Sequence, residues 1–138
     1  MESIKVEDYM NKRPVTFTPD MPLSEAMDKI LKTHQSGAPV IDDRHKVVGF
    51  LSELDMIHQL LKVGYACQDS KTVGDCMYKD VLSVSPYDNI MRLAEQMVPT
   101  KPKVYPVCDG GRLVGLITRR DILKAISTQI GDGFMHPV

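Results

Sequence analysis

The chain has no tryptophan, only three cysteines and a net charge of −1. Cys67, Cys76 and Cys108 are odd in number and show no CxxC spacing, which argues against a disulfide framework or a zinc site. Cys108 lies in an apolar run, where a thiol serves as a small hydrophobe, and little marks Cys67 or Cys76 as activated for redox sensing. Basic residues form no long stripe of the kind that grips a phosphate backbone, so no nucleic-acid partner is expected. No apolar run approaches the roughly 20 residues of a membrane-spanning helix, and Met1-Glu2-Ser3-Ile4-Lys5 lacks a secretion signal. The expectation is a cytoplasmic protein with no membrane association. There is no P-loop, no GxGxxG and no usable set of nucleophile and base, so no enzyme is expected. Glu53, Asp55 and His58 fall near one another on a helix, but no second cluster completes a metal sphere.

What the chain does have is a pattern stated twice. Val6-Glu7-Asp8-Tyr9-Met10 returns as Val73-Gly74-Asp75-Cys76-Met77, Pro19 as Pro86, and Pro39-Val40-Ile41-Asp42 as Pro106-Val107-Cys108-Asp109. Later landmarks return one residue earlier: Val48-Gly49 as Val114-Gly115, and Ser52-Glu53-Leu54-Asp55 as Thr118-Arg119-Arg120-Asp121. Such a period is longer than a solenoid repeat and reads as two small matching folds. Within 138 residues each half alone would be marginal, so the halves are expected to fold together about a pseudo-twofold axis. Their interface is a natural place for a small ligand. The division is 1–66 for the first repeat, 67–131 for the second and 132–138 for a flexible tail.

Each repeat reads as strand, helix, strand, strand, helix, a mixed α/β (α+β) fold. Val15-Thr16-Phe17-Thr18 is a short strand closed by Pro19. A helix from near Asp20 or Pro22 follows, with the apolar stripe Leu23, Ala26, Met27, Ile30 and Leu31, and its copy has Ile90, Leu93, Ala94, Met97 and Val98 with Asp88 as N-cap. Two hairpins follow the helices, one turning at Asp42-Asp43-Arg44-His45 and the other at Asp109-Gly110-Gly111-Arg112. Pro39 and Pro106 cannot donate an amide, which places them on an edge or at a strand start. Gly49 and Gly115 mark a close approach to the backbone. The closing helices carry Met56, Ile57, Leu60 and Leu61, then Ile122, Leu123, Ile126 and Ile130. Gly64 to Lys71 is the linker. Val98-Pro99-Thr100-Lys101-Pro102-Lys103 breaks the symmetry, because its prolines must stop the second copy's helix early and leave a stiff, basic bend. Met27, Met56, Met91 and Met97 read as core filler.

Pro-Val-x-Asp, then Val-Gly, then Ser/Thr-x-x-Asp opening a helix, all doubled from about Val6 to about Ile130, resembles the tandem cystathionine β-synthase (CBS) domain pair, or Bateman module. The resemblance implies a stand-alone regulatory module with AMP, ADP, ATP or S-adenosylmethionine as ligand in the inter-repeat cleft. It implies no required cofactor, a likeness to family members that form homodimers, and a regulated partner that the sequence does not name. In the family pattern the aspartate of Ser/Thr-x-x-Asp takes the ribose hydroxyls, which points to Asp55 and Asp121. The adenine slot falls on Val15, Thr16, Gly37 and Ala38 in the first repeat, and on Leu82, Ser83, Val104 and Tyr105 in the second. A ligand-free dimerisation or protein-interaction module is the alternative.

A carboxylate suits a ribose diol because it only accepts, and the diol offers two donors. Phosphate favours basic side chains near a helix N-terminus, and the second repeat has Arg119, Arg120, Lys101 and Lys103 where the first has Glu53, Leu54, His34, Gln35 and Ser36. The Asp121 site is therefore the expected nucleotide site. Ser52 with Asp55 and Thr118 with Asp121 also read as capping boxes, which is compatible with binding. Arg119 and Arg120 also read as an ordinary solvated face, though cations are unfavourable at a helix N-terminus. Tyr105 reads as core filling beside Pro106 more than as a base-stacking ring.

Overall fold

A computed structural model of the chain describes residues 4–63 and 71–134. The linker assigned to 64–71 lies outside them apart from Lys71, as do Cys67 and residues 135–138. The elements are a short 3₁₀ turn at Val6–Asp8, then α1 (Leu23–Leu31), β1 (Gly37–Ile41), β2 (Val47–Ser52), α2 (Glu53–Val63), α3 (Val73–Cys76), α4 (Ile90–Gln96), β3 (Val104–Asp109), β4 (Arg112–Thr118) and α5 (Arg119–Phe134). Helices and small sheets combine in the mixed class that the sequence predicts. Helix α5 runs through residues 132–134, which the sequence reading gives to a tail.

Each repeat contributes one antiparallel hairpin, β1 with β2 and β3 with β4. In the first, Ala38 pairs with Leu51 and Val40 with Gly49, and a bulge follows Val40. Its turn is held by the Asp42 carboxylate, which accepts the amides of Arg44 and Lys46 at 2.9 Å each, with His45 at a left-handed φ of 67°. The second hairpin turns on Gly110 and Gly111, at φ 60° and 84°, the pair of positive values that a tight two-residue turn requires. This shorter turn is the origin of the one-residue slip between the repeats.

The strand expected at 15–18 is a single bridge. Phe17 donates to the Pro39 carbonyl at 3.0 Å and accepts from the Ile41 amide at 2.9 Å, while Val84 makes the equivalent bonds with Pro106 and Cys108 at 3.0 and 2.8 Å. Pro39 lies in the middle of β1 and turns its missing donor toward this third segment, so the ladder cannot extend past Phe17.

The chain forms two units whose membership interleaves the repeats: one holds Pro14–Val81 with Gly110–Leu113, the other Met1–Arg13, Leu82–Asp109 and Val114–Val138. In the former, Val73 is fully buried among Phe17, Leu23, Ile30, Val40, Leu51 and Met56. In the latter, Val6 occupies the matching place among Ile90, Leu93, Val107, Ile117 and Ile122. The close approaches expected at the two glycines are present. A methyl on Gly49 would meet the Met77 thioether and the Tyr78 carbonyl at 3.0 Å; one on Gly115 would meet the Met10 sulfur at 2.5 Å and the Asn11 carbonyl at 2.9 Å.

Two expectations fail locally. Asn89, not Asp88, caps α4, accepting from the amides of Met91 and Arg92, while Asp88 closes a turn on the Ser85 amide at 2.9 Å. Leu31, Val98, Met91, Ile57, Leu61 and Leu123 are exposed. The buried stripe is narrower than the apolar one, and α2 and α5 inter only the face that carries Met56 and Ile122. As expected, α4 ends two residues short of its counterpart α1, before Pro99.

Val73→Ala should cost about 2 kcal/mol in urea unfolding, as loss of buried methyl groups does. If Val73 seals the core of the unit containing β1 and β2, amide exchange should quicken at 37–52 and stay unchanged at 104–118.

Candidate functional site

Both Ser/Thr-x-x-Asp motifs fold as capping boxes at the points where β2 enters α2 and β4 enters α5. The Asp55 amide donates to Ser52 Oγ and the Ser52 amide to Asp55 Oδ2, both at 3.1 Å. The Asp121 amide donates to Thr118 Oγ1 at 3.1 Å and the Thr118 amide to Asp121 Oδ2 at 3.0 Å. The box engages one oxygen of each carboxylate. Among the described residues Oδ1 of Asp55 and of Asp121 takes no hydrogen bond, so each aspartate keeps acceptor capacity for an outside donor.

In the second repeat Lys103 and Arg119 line one cleft of about 370 Å³ together with Met97 and Pro99. The Arg119 amide donates to the Lys103 carbonyl at 3.1 Å, which ties the start of α5 to the residues before β3. Arg120 is exposed and stands outside this lining, as do Thr118, Asp121, Ser83, Val104 and Tyr105. Tyr105 is 4% exposed and belongs to the core, as expected of a filling residue. Its burial raises the phenol above the ordinary value, and the charge of Arg119 pulls it back down. Val104 is half-buried, and Ser83 is exposed with its side chain hydrogen-bonded to Cys108. Burial pushes the Cys108 thiol up despite that bond, and burial does the same to Cys76. Neither is poised as a thiolate.

The first repeat uses its equivalent atoms differently. Gly37 and Ala38 are buried, and a methyl on Gly37 would strike the Phe50 ring at 2.7 Å and the backbone of Ser52 at 2.8 Å. The Thr16 carbonyl accepts Lys29 Nζ at 2.8 Å. Gln35 spans the place where the third strand stops. Its Oε1 accepts the Val15 amide at 2.7 Å, and its Nε2 donates to the carbonyls of Val15 and Gly37, each at 3.2 Å. The equivalent position in the second repeat is Pro102, and among the described residues no hydrogen bond engages the amide or carbonyl of Leu82.

The sequence reading names neither Met97 and Pro99 as lining residues nor the bonds that Gln35 makes to Val15 and Gly37. The early stop of α4 before the two prolines is the signal for the first pair, because Met97 and Pro99 then lie just past the helix end. Among the described residues no group of His, Cys, Asp or Glu could hold a metal, and no helix is long and apolar enough to cross a membrane.

The family model of the CBS domain matches residues 6–62 and 73–128. Among solved structures the CBS-pair protein CBSX2 from Arabidopsis thaliana is 28% identical, with a TM-score of 0.81 over 95% of this chain and 99% of its own. CBSX2 in complex with AMP superposes with a TM-score of 0.79 over 93% and 98%. The CBS domain pair of protein MJ0100, in complex with 5′-methylthioadenosine and S-adenosyl-L-methionine, is 25% identical, with a TM-score of 0.76 over 91% and 97%. A zinc metalloprotease of Methanocaldococcus jannaschii is 35% identical over 91% of this chain. The chain spans 33% of that relative, and less than half the length of the other curated relatives it first matches.

Arg119→Ala should raise the Tyr105 phenol further, because it deletes the charge that offsets burial. NMR titration of the Tyr105 ring resonances reads the change, and an unmoved value would mean that the guanidinium does not face the phenol. Because the folded value lies above the unfolded 10.0, the contribution of Tyr105 to stability is complete below that pH. It is lost as the pH climbs through the folded value.

Proposed function

Because the chain belongs to the CBS domain family, we propose that it is a regulatory, non-catalytic CBS pair whose second repeat holds an adenosine-containing ligand at Asp121. AMP, ADP, ATP and S-adenosylmethionine are the candidates. The observation that carries this reading is the convergence of Lys103 and Arg119 on one cleft, in the repeat whose capping aspartate keeps an open oxygen. The Asp121 carboxylate would take the ribose hydroxyls, since an ionised acceptor bonds two donors well. The two cations would meet phosphate, and Met97 and Pro99 would give the base an apolar wall. The volume falls within the roughly 300–1,000 Å³ usual for small-molecule sites. The AMP and S-adenosyl-L-methionine complexes of the similar pairs support an adenosyl compound as ligand.

Such a ligand regulates only by binding two arrangements of the protein unequally, and the arrangement is then passed to a partner. A homodimer is part of the proposal. Leu54, Ile57 and Leu61 stand exposed on α2 at helical spacing, 58%, 52% and 76% accessible, and form an apolar stripe without cover among the described residues. The same stripe favours the second reading, an interaction module that binds no ligand.

Thermal unfolding separates the two. A ligand at one hundred times its Kd stabilises the folded state by about 2.7 kcal/mol and so raises Tm by several degrees. Millimolar AMP, ADP, ATP and S-adenosylmethionine should include at least one that does so. Asp121→Ala should abolish the shift and Asp55→Ala should leave it. Four unmoved melting curves would leave the interaction module standing.

A further inference from the structure

We propose that Gln35 is a built-in occupant of the base-reading edge of the first repeat, so that the chain holds one adenosyl ligand rather than two. The inference rests on the reading of Asp121 as a ligand site, and it adds the reason why Asp55 is not one. It begins with Pro39. Where β1 would continue its parallel pairing beyond Phe17, Pro39 has no amide to give the Val15 carbonyl; the ladder stops there, and the Val15 amide and Gly37 carbonyl do not pair with each other either. Half-buried backbone groups of this kind need a partner.

Gln35 satisfies all three at 2.7, 3.2 and 3.2 Å. The orientation of its carboxamide is set by those partners, since an amide N–H must meet the oxygen and the two carbonyls must meet the nitrogen. An adenine edge offers the same combination, a ring-nitrogen acceptor beside an exocyclic amine donor. The side chain thus makes the hydrogen bonds that a bound base would make. It is also held in place, because the Gln35 amide donates to Thr33 Oγ1 at 3.1 Å and that hydroxyl donates to the Ile30 carbonyl at 2.9 Å, at the end of α1. An entering base would have to displace three intramolecular bonds, which lowers its apparent affinity by the fraction of time the edge is open.

The second repeat lacks the device. Pro102 replaces Gln35, and Leu82, the counterpart of Val15, has free backbone groups among the described residues. The remaining parts of the first site persist, including the open Oδ1 of Asp55. Removing the carboxamide should therefore restore a site.

Calorimetric titration with AMP tests this on the full chain, comparing wild type with Gln35→Ala and with Gln35→Glu, whose carboxylate would be repelled by the Val15 and Gly37 carbonyls. The expected stoichiometry is one in the wild type and two in either variant, with the gained site tenfold or more tighter than any residual first-repeat binding and lost again in Gln35→Ala/Asp55→Ala. A wild-type stoichiometry of two, or no gained site in the variants, overturns the plug. A wild type that binds nothing while a variant binds one equivalent supports the plug and overturns the Asp121 reading. Should the variants fail to fold, NMR on the wild type decides the matter: Gln35 side-chain amide resonances that stay in place at saturating AMP support occupancy, and their displacement overturns it.

Discussion

A proline without an amide, set at the same point of each repeat, governs the rest of the structure. Pro39 and Pro106 each lie inside a hairpin strand and turn their missing donor toward a third, parallel segment. That segment makes one bridge and stops, at Phe17 and at Val84. The stop leaves backbone amides and carbonyls that no ladder satisfies, next to the turn where the following helix begins. Such groups cost about 1–3 kcal/mol each if they are buried without a partner. The fold has three remedies: a side chain, water or a ligand. The first repeat takes the side chain, Gln35. In the second, no described residue bonds the backbone of Leu82, the counterpart of Val15.

The doubled opening motif solves a different problem. A repeat of this length buries little apolar surface and is marginal alone. Val6 and Val73 are the same residue of the same motif, and each is fully buried in the unit built mainly from the other repeat. Met10 and Met77 follow them and lie against Gly115 and Gly49. Asn11 and Tyr78 then bridge Leu116 and Phe50 with paired bonds between 2.8 and 2.9 Å. The glycines are explained by this exchange, since any β-carbon would occupy the space of a thioether and a carbonyl that arrive from the other half of the sequence.

Much of this was legible because it depends on local chemistry. The hairpins follow from apolar runs flanking polar turns, the short α4 from Pro99 and Pro102, and the capping boxes from hydroxyl and carboxylate three residues apart. The close approaches at Gly49 and Gly115 were legible too, although not what approaches. What escaped depends on tertiary context. The apolar stripes of α2 and α5 are wider than the faces they bury, because periodicity reports which residues are apolar and not whether a neighbour covers them. Asp88 and Asn89 are both good caps, and the choice between them turned on the competing Ser85 turn. Gln35 was read only as a residue standing where a cation would be more useful. Its role needs the separation of 20 residues between Val15 and Gln35 to be closed in space.

The two repeats differ most where a few substitutions act together. Placing prolines at 99 and 102 shortens α4, which opens the space lined by Met97, Pro99, Lys103 and Arg119. The same Pro102 removes the carboxamide that would otherwise cover Leu82. At the start of the closing helix the first repeat presents Glu53 where the second presents Arg119, so a phosphate would meet repulsion in one repeat and attraction in the other. Each difference alone is within the ordinary variation between two copies of a fold. Jointly they close the polar edge and set the wrong charge in one repeat, and open the edge and set the right charge in the other. The Asp55 carboxylate starts α2 through its capping box, a role that holds whether or not a ligand binds.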